Sequence, residues 1–533
     1  MEGYACAALA EMFEALQASP DLEPVLAVLG DDPTVIKALA PSLLKLLVTG
    51  IDLVARAADG GVRLGAAEKD LQVAGREVMR LLLQSGVDLV SAREQRRHGG
   101  VLGTDGITRT YVERGHARDV ATVFGRITVH RLAYRAPGAG NLHPLDEVLD
   151  LPAGLYSAGL AELCAIETAR GSFATASAAV ERATGVRIGT RQVIDLVRDG
   201  AQDAQAFYAG RARVVPQAGP QDAVVITADG KGVVVRPEGL REATAKKAAQ
   251  GGGEGGNRKR MAEIVCVHDL APVPRSVDDI LPLRSIDPGH DGGADTVKGP
   301  VASGKWLTAS LVEDIATVIG AGFDEAERRD PGHTRPWLGL VDGNTTQIEA
   351  ITTEAASRGV EVTILIDYLH VSGYVWDAAK AFFCTDTVAG MALARAWVHD
   401  RNRMVLQGRA LEVADRITAR VRGSKLTAAQ RKAALAAATY LTNKAPHLDY
   451  PAALAKGWPI ATGVIEGACR HLVADRMDIT GARWGLDTAQ AVLTLRAIIT
   501  TGDFNSYWTH HQQQEHDRNH ATIKHHRDHT KAA

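Results

Sequence analysis

The spacing of apolar residues changes several times along the chain, and each change predicts a different element. Through residues 31–98 leucines and valines recur every three to four positions, as in "TVIKALAPSLLKLLVTGIDLVARA" and "EKDLQVAGREVMRLLLQSGVDLV", which predicts helices. From Ile107 the period drops to two. "RDVATVFGRITVHRLAYRA" alternates and turns near Phe124-Gly125, a hairpin pattern, and "GNLHPLDEVLDLPAGLYSAG" reads as a connector punctuated by Pro and Gly. Residues 155–210 return to helical spacing. Within them "SFATASAAVERATGVRIGTRQVIDLVRDG" has the layout of a helix-turn-helix, with a helix ending at Gly185 and a second starting around Thr190, a candidate N-cap. Its second helix would present Thr190, Arg191 and Gln192 where such helices meet base edges, although any tight pair of helices joined by a glycine turn reads the same way.

The next stretch, "VITADGKGVVV", runs a buried-strand pattern into Asp229 and then Gly-Lys-Gly. A carboxylate at a strand end is costly unless it is hydrogen-bonded, paired or holding a metal, and Asp-Gly is also a common turn dipeptide. A basic, glycine-rich break, "KKAAQGGGEGGNRKR", predicts a mobile loop. "MAEIVCVHDL" is a second strand and "LVEDIATVIGAGFDEAERR" a helix. "RPWLGLVDGNTTQIEAITTEAASRG" and "VEVTILIDYLHVSGYVWDAAKAFF" each read strand, aspartate, helix. Residues 372–456 are Ala-rich and helical, and "ATGVIEGACRHLVADRMDITGARWGLDTAQAVLTLRAIITT" is a last helical piece. The tail after Asp503 holds seven histidines (510, 511, 516, 520, 525, 526, 529), in which metal binding competes with a frayed polar end.

A chain of 533 residues exceeds one core, with a prior of roughly three or four domains. The organisation expected is a helical region 1–98, a basic hairpin and connector 99–150, a helical segment 151–215 with the helix-turn-helix, a core 216–371, a helical insertion 372–456, a return to the core at 457–503 and a disordered tail 504–533. The five cysteines lie far apart with no C-x-x-C, no signal peptide opens the chain and no apolar run reaches membrane-spanning length, so a cytoplasmic protein is expected. The net charge of −3 hides a local block, Arg93 to Arg135, with nine arginines against four acids. Such a block matters for phosphate binding, though it also reads as a solvated face.

Three predicted strands end in carboxylates, Asp229, Asp342 and Asp367. One helix separates the last two strands, which predicts that they pair in parallel, and ligands gather at such strand ends. Carboxylates brought together there repel unless a hard cation sits between them, and Mg2+ or Mn2+ suits oxygen donors. Glu466, near the start of the late helix, is a further acid, with Cys469, Arg470, His471, Arg476, Arg483 and Trp484 following. Basic residues interleaved with an aromatic suit a nucleic-acid backbone, whereas Glu466 and Arg470 also read as an ordinary i,i+4 pair.

Asp229 in "TADGKG", Asp342 in "LVDGN" and Glu466 in "GVIEGACRHLVADRMDITGARW" resemble the DDE triad of bacterial insertion-sequence transposases. "LPAGLYSAG", "RDPGHTRPWLGLVDGN", "DYLHVSGYVWDAAKAFF" and "GWPIATGVIEGACRHLVADRM" are similar to the Kra-type family of the Mutator-like group, over roughly residues 120–505. The resemblance implies an α/β fold: a ribonuclease-H-like mixed-sheet core with an all-α insertion before the final Glu, behind a mainly helical N-terminal region that contains a β-hairpin. It further implies two Mg2+ ions, for which Mn2+ substitutes, held by Asp229, Asp342 and Glu466, and phosphoryl transfer on double-stranded DNA. Asp367 and His370 resemble an accessory (C/D)-x-x-H element, with the opposite assignment, Asp367 in the triad, left open. Lys231 is a candidate phosphate contact, Arg470, Arg476 and Arg483 candidate strand-positioning groups, and Trp484 a base-stacking residue or simply core. Cysteine pairs found in some relatives are missing here, so no zinc finger is expected. A homodimer or higher oligomer on the element's ends, in the bacterial nucleoid, completes the expectation, with the leucine-rich N-terminal helices as interface. A glycosidase using two carboxylates fits poorly, since only 5% of residues are aromatic, and a domesticated DNA-binding relic is the other alternative.

Overall fold

The computed structural model describes residues 33–58, 61–211, 218–249, 259–281, 297–479 and 481–521. The chain forms two compact units, one holding the residues up to 168 together with 172–196 and those from 509 on, the other 169–171 and 197–508.

In the first unit α1 (Pro33–Ala58) and α2 (Leu64–Ala92) pair, and α2 packs on a hairpin of β1 (Tyr111–Thr122) and β2 (Gly125–Arg135). Val87, Val120, Ile127, Val129, Leu145 and Leu151 fill that interface. The connector contains a short helix, α3 (Pro144–Val148), and α4 (Ala158–Arg170) follows. Part of the arginine block is spent internally. Arg109 lies buried on Asp105, Arg118 reaches the carbonyls of Pro152, Ala153 and Gly154, and Arg131 and Arg135 pair with Asp146 and Glu113. The segment forms two helices joined by a turn at Gly185, α5 (Phe173–Thr184) and α6 (Thr190–Asp199). Gly185 closes α5 in the left-handed region at φ 75°, and the Gly189 carbonyl, not Thr190, takes the first bond of α6 from Val193 N–H.

α1 leaves Leu43, Leu44, Leu46, Val48, Ile51 and Val54 exposed. Contrary to the expectation from unbroken apolar runs, Lys37–Ala58 is long and apolar enough, by length and composition, to cross a membrane, with a mean hydropathy of 1.7. Lys45 and Asp52 interrupt the run, but leucine, valine and isoleucine outweigh them in the average.

The second unit is a mixed α/β body around a five-stranded sheet of β3 (Ala223–Val234), β4 (Lys259–Leu270), β5 (Ala302–Ser310), β6 (Trp337–Val341) and β7 (Val362–Ile366), in the order β5-β4-β3-β6-β7. β3 pairs antiparallel with β4 and parallel with β6, so it is the strand where the sheet changes sense. Helices α7 (Ile315–Arg329) and α8 (Thr345–Arg358) cover the sheet, and β6-α8-β7 is the expected strand-helix-strand unit. Where α7 crosses the sheet, Gly322 stands so close that a Cβ would meet Val265 at 2.7 Å. The edge strand β5 was not expected from "ASGKWLTAS", which lacks a run of β-branched residues. The glycine-rich break falls mostly on residues 250–258, outside those described.

After β7 come α9 (Tyr368–Phe382), α10 (Val388–Leu406), α11 (Ala410–Gly423), α12 (Ala428–Lys444) and α13 (Tyr450–Ala455). These helices continue the sheet's own apolar cluster through Val413, Ala437 and Leu441. Burial of each such side chain stabilises by about 1.5–3 kcal/mol for the larger aliphatics. Then α14 (Gly463–Cys469) leads into a π-helical turn, Arg470–Ala474, and α15 (Leu486–Thr501).

The C-terminal segment departs from expectation. Rather than fraying, Phe504–His520 forms α16. Phe504, Tyr507, Trp508 and His511 stand at i, i+3, i+4 and i+7, one helical face, and all four are buried. Polar composition masked that stripe. His525, His526 and His529 lie outside the described residues.

Candidate active site

Strand register aligns two of the acids. β3 is apolar and buried from Ala223 to Ala228, apart from the Thr227 hydroxyl, and Asp229 is the first half-buried residue after them. The expectation that the strand ends there is wrong: β3 runs unbroken through Asp229-Gly-Lys-Gly to Val234, because β4 pairs with it over its whole length. The parallel neighbour β6 stops earlier, with Thr227 opposite Leu340 as the last pair. Two positions further on, the same register sets Asp229 beside Asp342, on strands about 4.8 Å apart. β6 and β7 pair up to Val341 opposite Ile366, so Asp367 is next in line.

What precedes Asp342 is a polar clamp. Asp330 accepts from Thr334 N–H and hydroxyl, Arg335 N–H and Trp337 Nε1–H, at 2.9–3.0 Å. Burial alone would raise the Asp330 carboxyl, but these donors outweigh it and hold it below its ordinary value. Arg335 in turn donates to Asp269 on β4 at 2.6 Å. "RDPGHTRPW" therefore fixes where β6 begins, and five buried residues later Asp342 emerges. Asp342 Oδ1 accepts from Asn344 N–H at 2.8 Å, and Gly343 takes φ 95°. Tyr440 of α12 closes this turn by donating to the Asp342 carbonyl at 3.0 Å, with Tyr374 stacked on it at 3.8 Å.

Glu466 arrives from α14, which packs on β3 and β4. Cys469 Sγ lies 3.3 Å from Asp229 Oδ2, and Glu466 stands one turn earlier on the same helix, exposed. Burial first, and then Asp229, push the Cys469 thiol up, so it remains a protonated donor to that carboxylate. Lys231, two residues along β3 from Asp229, is half-buried on the same side of the strand.

The sequence reading missed a further acid. Glu263 of β4 pairs with Gly230, and its Oε2 is 3.4 Å from where a Gly230 Cβ would stand. Burial is the first cause that raises its carboxyl above the ordinary value, and the like charge of Asp229 adds to it. Its only sequence signal is a charge inside "MAEIVCV"; its neighbour across the ladder was decided by pairing.

Asp367 is only 2% exposed, and both its oxygens are used. Oδ1 accepts from Leu369 and His370 N–H as the N-cap of α9, and Oδ2 from the Thr462 N–H and hydroxyl just before α14. It thereby ties the end of β7 to the helix that carries Glu466. His370 is exposed, with its ring 5.7 Å from that of Tyr374.

Two proposed nucleic-acid contacts are structural. Trp484 is buried, donates to the Met477 carbonyl at 3.0 Å and bridges Val235, while buried Arg476 lies 4.7 Å over its ring. Burial lowers the Arg476 pKa to about 10. Arg470 and Arg483 are exposed, as are Thr190, Arg191 and Gln192 in the first unit.

The donors at the β3/β6 end are all carboxylate oxygen, the set that Mg2+ and Mn2+ prefer. Among the described residues Asp229, Asp342 and Glu466 do not close to a single-ion cluster, and the three donors whose atoms all lie within 4.8 Å of one another are Asp150, His516 and His520. A pair of ions about 3.5–4 Å apart would need a wider cradle than one. Compared with protein-family models and with curated proteins, the chain matches none.

Proposed function

We propose that the chain is a DNA transposase with a ribonuclease-H-like core, cutting and joining DNA strands through Asp229, Asp342 and Glu466. The observation that carries the reading is the register that aligns Asp229 with Asp342 on parallel neighbours, with α14 bound against Asp229 through Cys469. The mixed five-stranded sheet and the helical segment between β7 and α14 support it. The motifs that resemble the Kra-type transposases contribute the acids, the Asp330 clamp and the Asp367–Thr462 tie.

In this reading Asp229, Asp342 and Glu466 would hold two divalent ions, which would supply activation of the attacking hydroxyl and charge stabilisation at the leaving oxygen. The protein's own task is positioning. The Asn344 N–H and Tyr440 fix the Asp342 turn, and the Cys469 thiol orients Asp229 without competing as a thiolate. Glu263, opposite Gly230 on β4, feels the like charge of Asp229 from the other face of the ladder. Lys231, Arg470 and Arg483 face the phosphate backbone, and the exposed start of α6 with Thr190, Arg191 and Gln192 reads the ends of the element.

The test is nicking of a plasmid that carries the gene's own flanking DNA, with Mg2+ or Mn2+. Wild type cuts, while Asp229→Asn, Asp342→Asn and Glu466→Gln bind the DNA without cutting. Cleavage without metal, or retained by Asp342→Asn, would overturn the mechanism. Specific binding without cleavage by wild type would make the chain a DNA-binding relic.

A further inference from the structure

A second constellation lies in the first unit, apart from the carboxylate site. His516 and His520 are four residues apart on α16, one turn along the same face, and both turn toward Asp150, in the loop after α3. His516 Nδ1 is 2.8 Å from Asp150 Oδ1, His520 Nε2 is 3.4 Å from the same oxygen, and the two rings are 4.8 Å apart. His520 is 9% exposed, and among the described residues its buried Nε2 makes no hydrogen bond despite facing that carboxylate.

A plain Asp–His hydrogen bond explains His516 but not His520. Leaving a buried ring nitrogen unsatisfied costs about 1–3 kcal/mol, a penalty that a protein avoids unless the atom has another partner. Ligands at about 2.0–2.2 Å around a tetrahedral ion stand roughly 3.4 Å from each other, near the spacing of His520 from Asp150. Asp150 itself has φ 46°, a conformation that aspartate tolerates better than most side chains.

We propose that Asp150, His516 and His520 bind one divalent transition-metal ion of the zinc class, which fastens the end of α16 to the loop after α3. Two imidazole nitrogens and one carboxylate oxygen suit Zn2+ and Co2+ and leave a fourth position to water. Binding displaces the proton shared by His516 and Asp150. The site is independent of the transposase reading and its oxygen-only donors.

The experiment is titration of the dialysed full-length chain with Zn2+ against a chromophoric chelator, with Co2+ substitution read by visible absorption. One tight equivalent per chain is expected. Asp150→Asn and His520→Ala each weaken it at least tenfold, and Zn2+ raises the Tm of wild type but not of these variants. The triple change of His525, His526 and His529 to alanine leaves the tight equivalent intact. Absence of tight binding, unchanged affinity in Asp150→Asn, or weakening confined to the triple variant would overturn the proposal. Should His520→Ala fail to fold, the near-isosteric Asp150→Asn decides.

Discussion

Replacing Gly343 by alanine probes the turn that aims Asp342. Two costs add. At φ 95° an L-residue pays about 1–2 kcal/mol of backbone strain that glycine avoids. The new Cβ would also collide with the Tyr440 hydroxyl, which must swing away and give up its 3.0 Å bond to the Asp342 carbonyl, about 1 kcal/mol more. The expected loss for Gly343→Ala is therefore about 2–3 kcal/mol, read from urea unfolding with an unchanged slope. Tyr440→Phe removes the bond and the colliding hydroxyl, leaving only the ring Cζ at 3.2 Å, so in that background the same alanine should cost little beyond the strain. The double-mutant cycle should show a coupling of about 1 kcal/mol. A single-variant loss below about 0.5 kcal/mol, within the range of ordinary surface changes, would refute the strained turn. Full loss with no coupling would refute the part assigned to Tyr440.

Two further outcomes separate structural from chemical carboxylates. Asp367→Ala removes a helix cap and leaves the buried Thr462 N–H and hydroxyl without their acceptor, a loss of about 3 kcal/mol in urea unfolding, whereas Asp342→Asn should shift stability by less than about 0.5 kcal/mol. A stable Asp367→Ala protein would reopen its candidacy as a metal ligand. Because the folded Glu263 carboxyl is raised above its ordinary 4.5, its ionisation penalises the folded state at neutral pH, and the penalty fades as pH falls through the raised value toward 4.5. Glu263→Gln in metal-free buffer should thus melt higher than wild type at pH 8 and converge with it near pH 4; equal Tm values at pH 8 would contradict the burial of that charge.

Local periodicity determined much of this protein. The strand-aspartate-helix units at Asp342 and Asp367, the hairpin turning at Phe124-Gly125, the successive helices α5 and α6 and the long helical segment after α9 all follow from patterns that span a few turns or strand repeats. Their order along the chain made the β6-α8-β7 crossover legible, because two parallel strands joined by one helix have few ways to pack. What the sequence left open is non-local. Asp229 lies mid-strand against β4 but at the end of its pairing with β6, a duality that exists only once a strand has two neighbours. Glu263 came within reach of the charge on Asp229 through a cross-strand pairing 33 residues away, from Gly230 to Glu263. Trp484 and Arg476 carry the composition of a nucleic-acid contact, and burial against Val235 and Met477 made them core. The same holds at the C-terminus, where a histidine-rich, polar stretch became a helix because four of its residues share one buried stripe. Periodicity is set by backbone geometry and is written locally; which side chains meet, and which are withdrawn from water, is set by register and packing between segments distant in the chain.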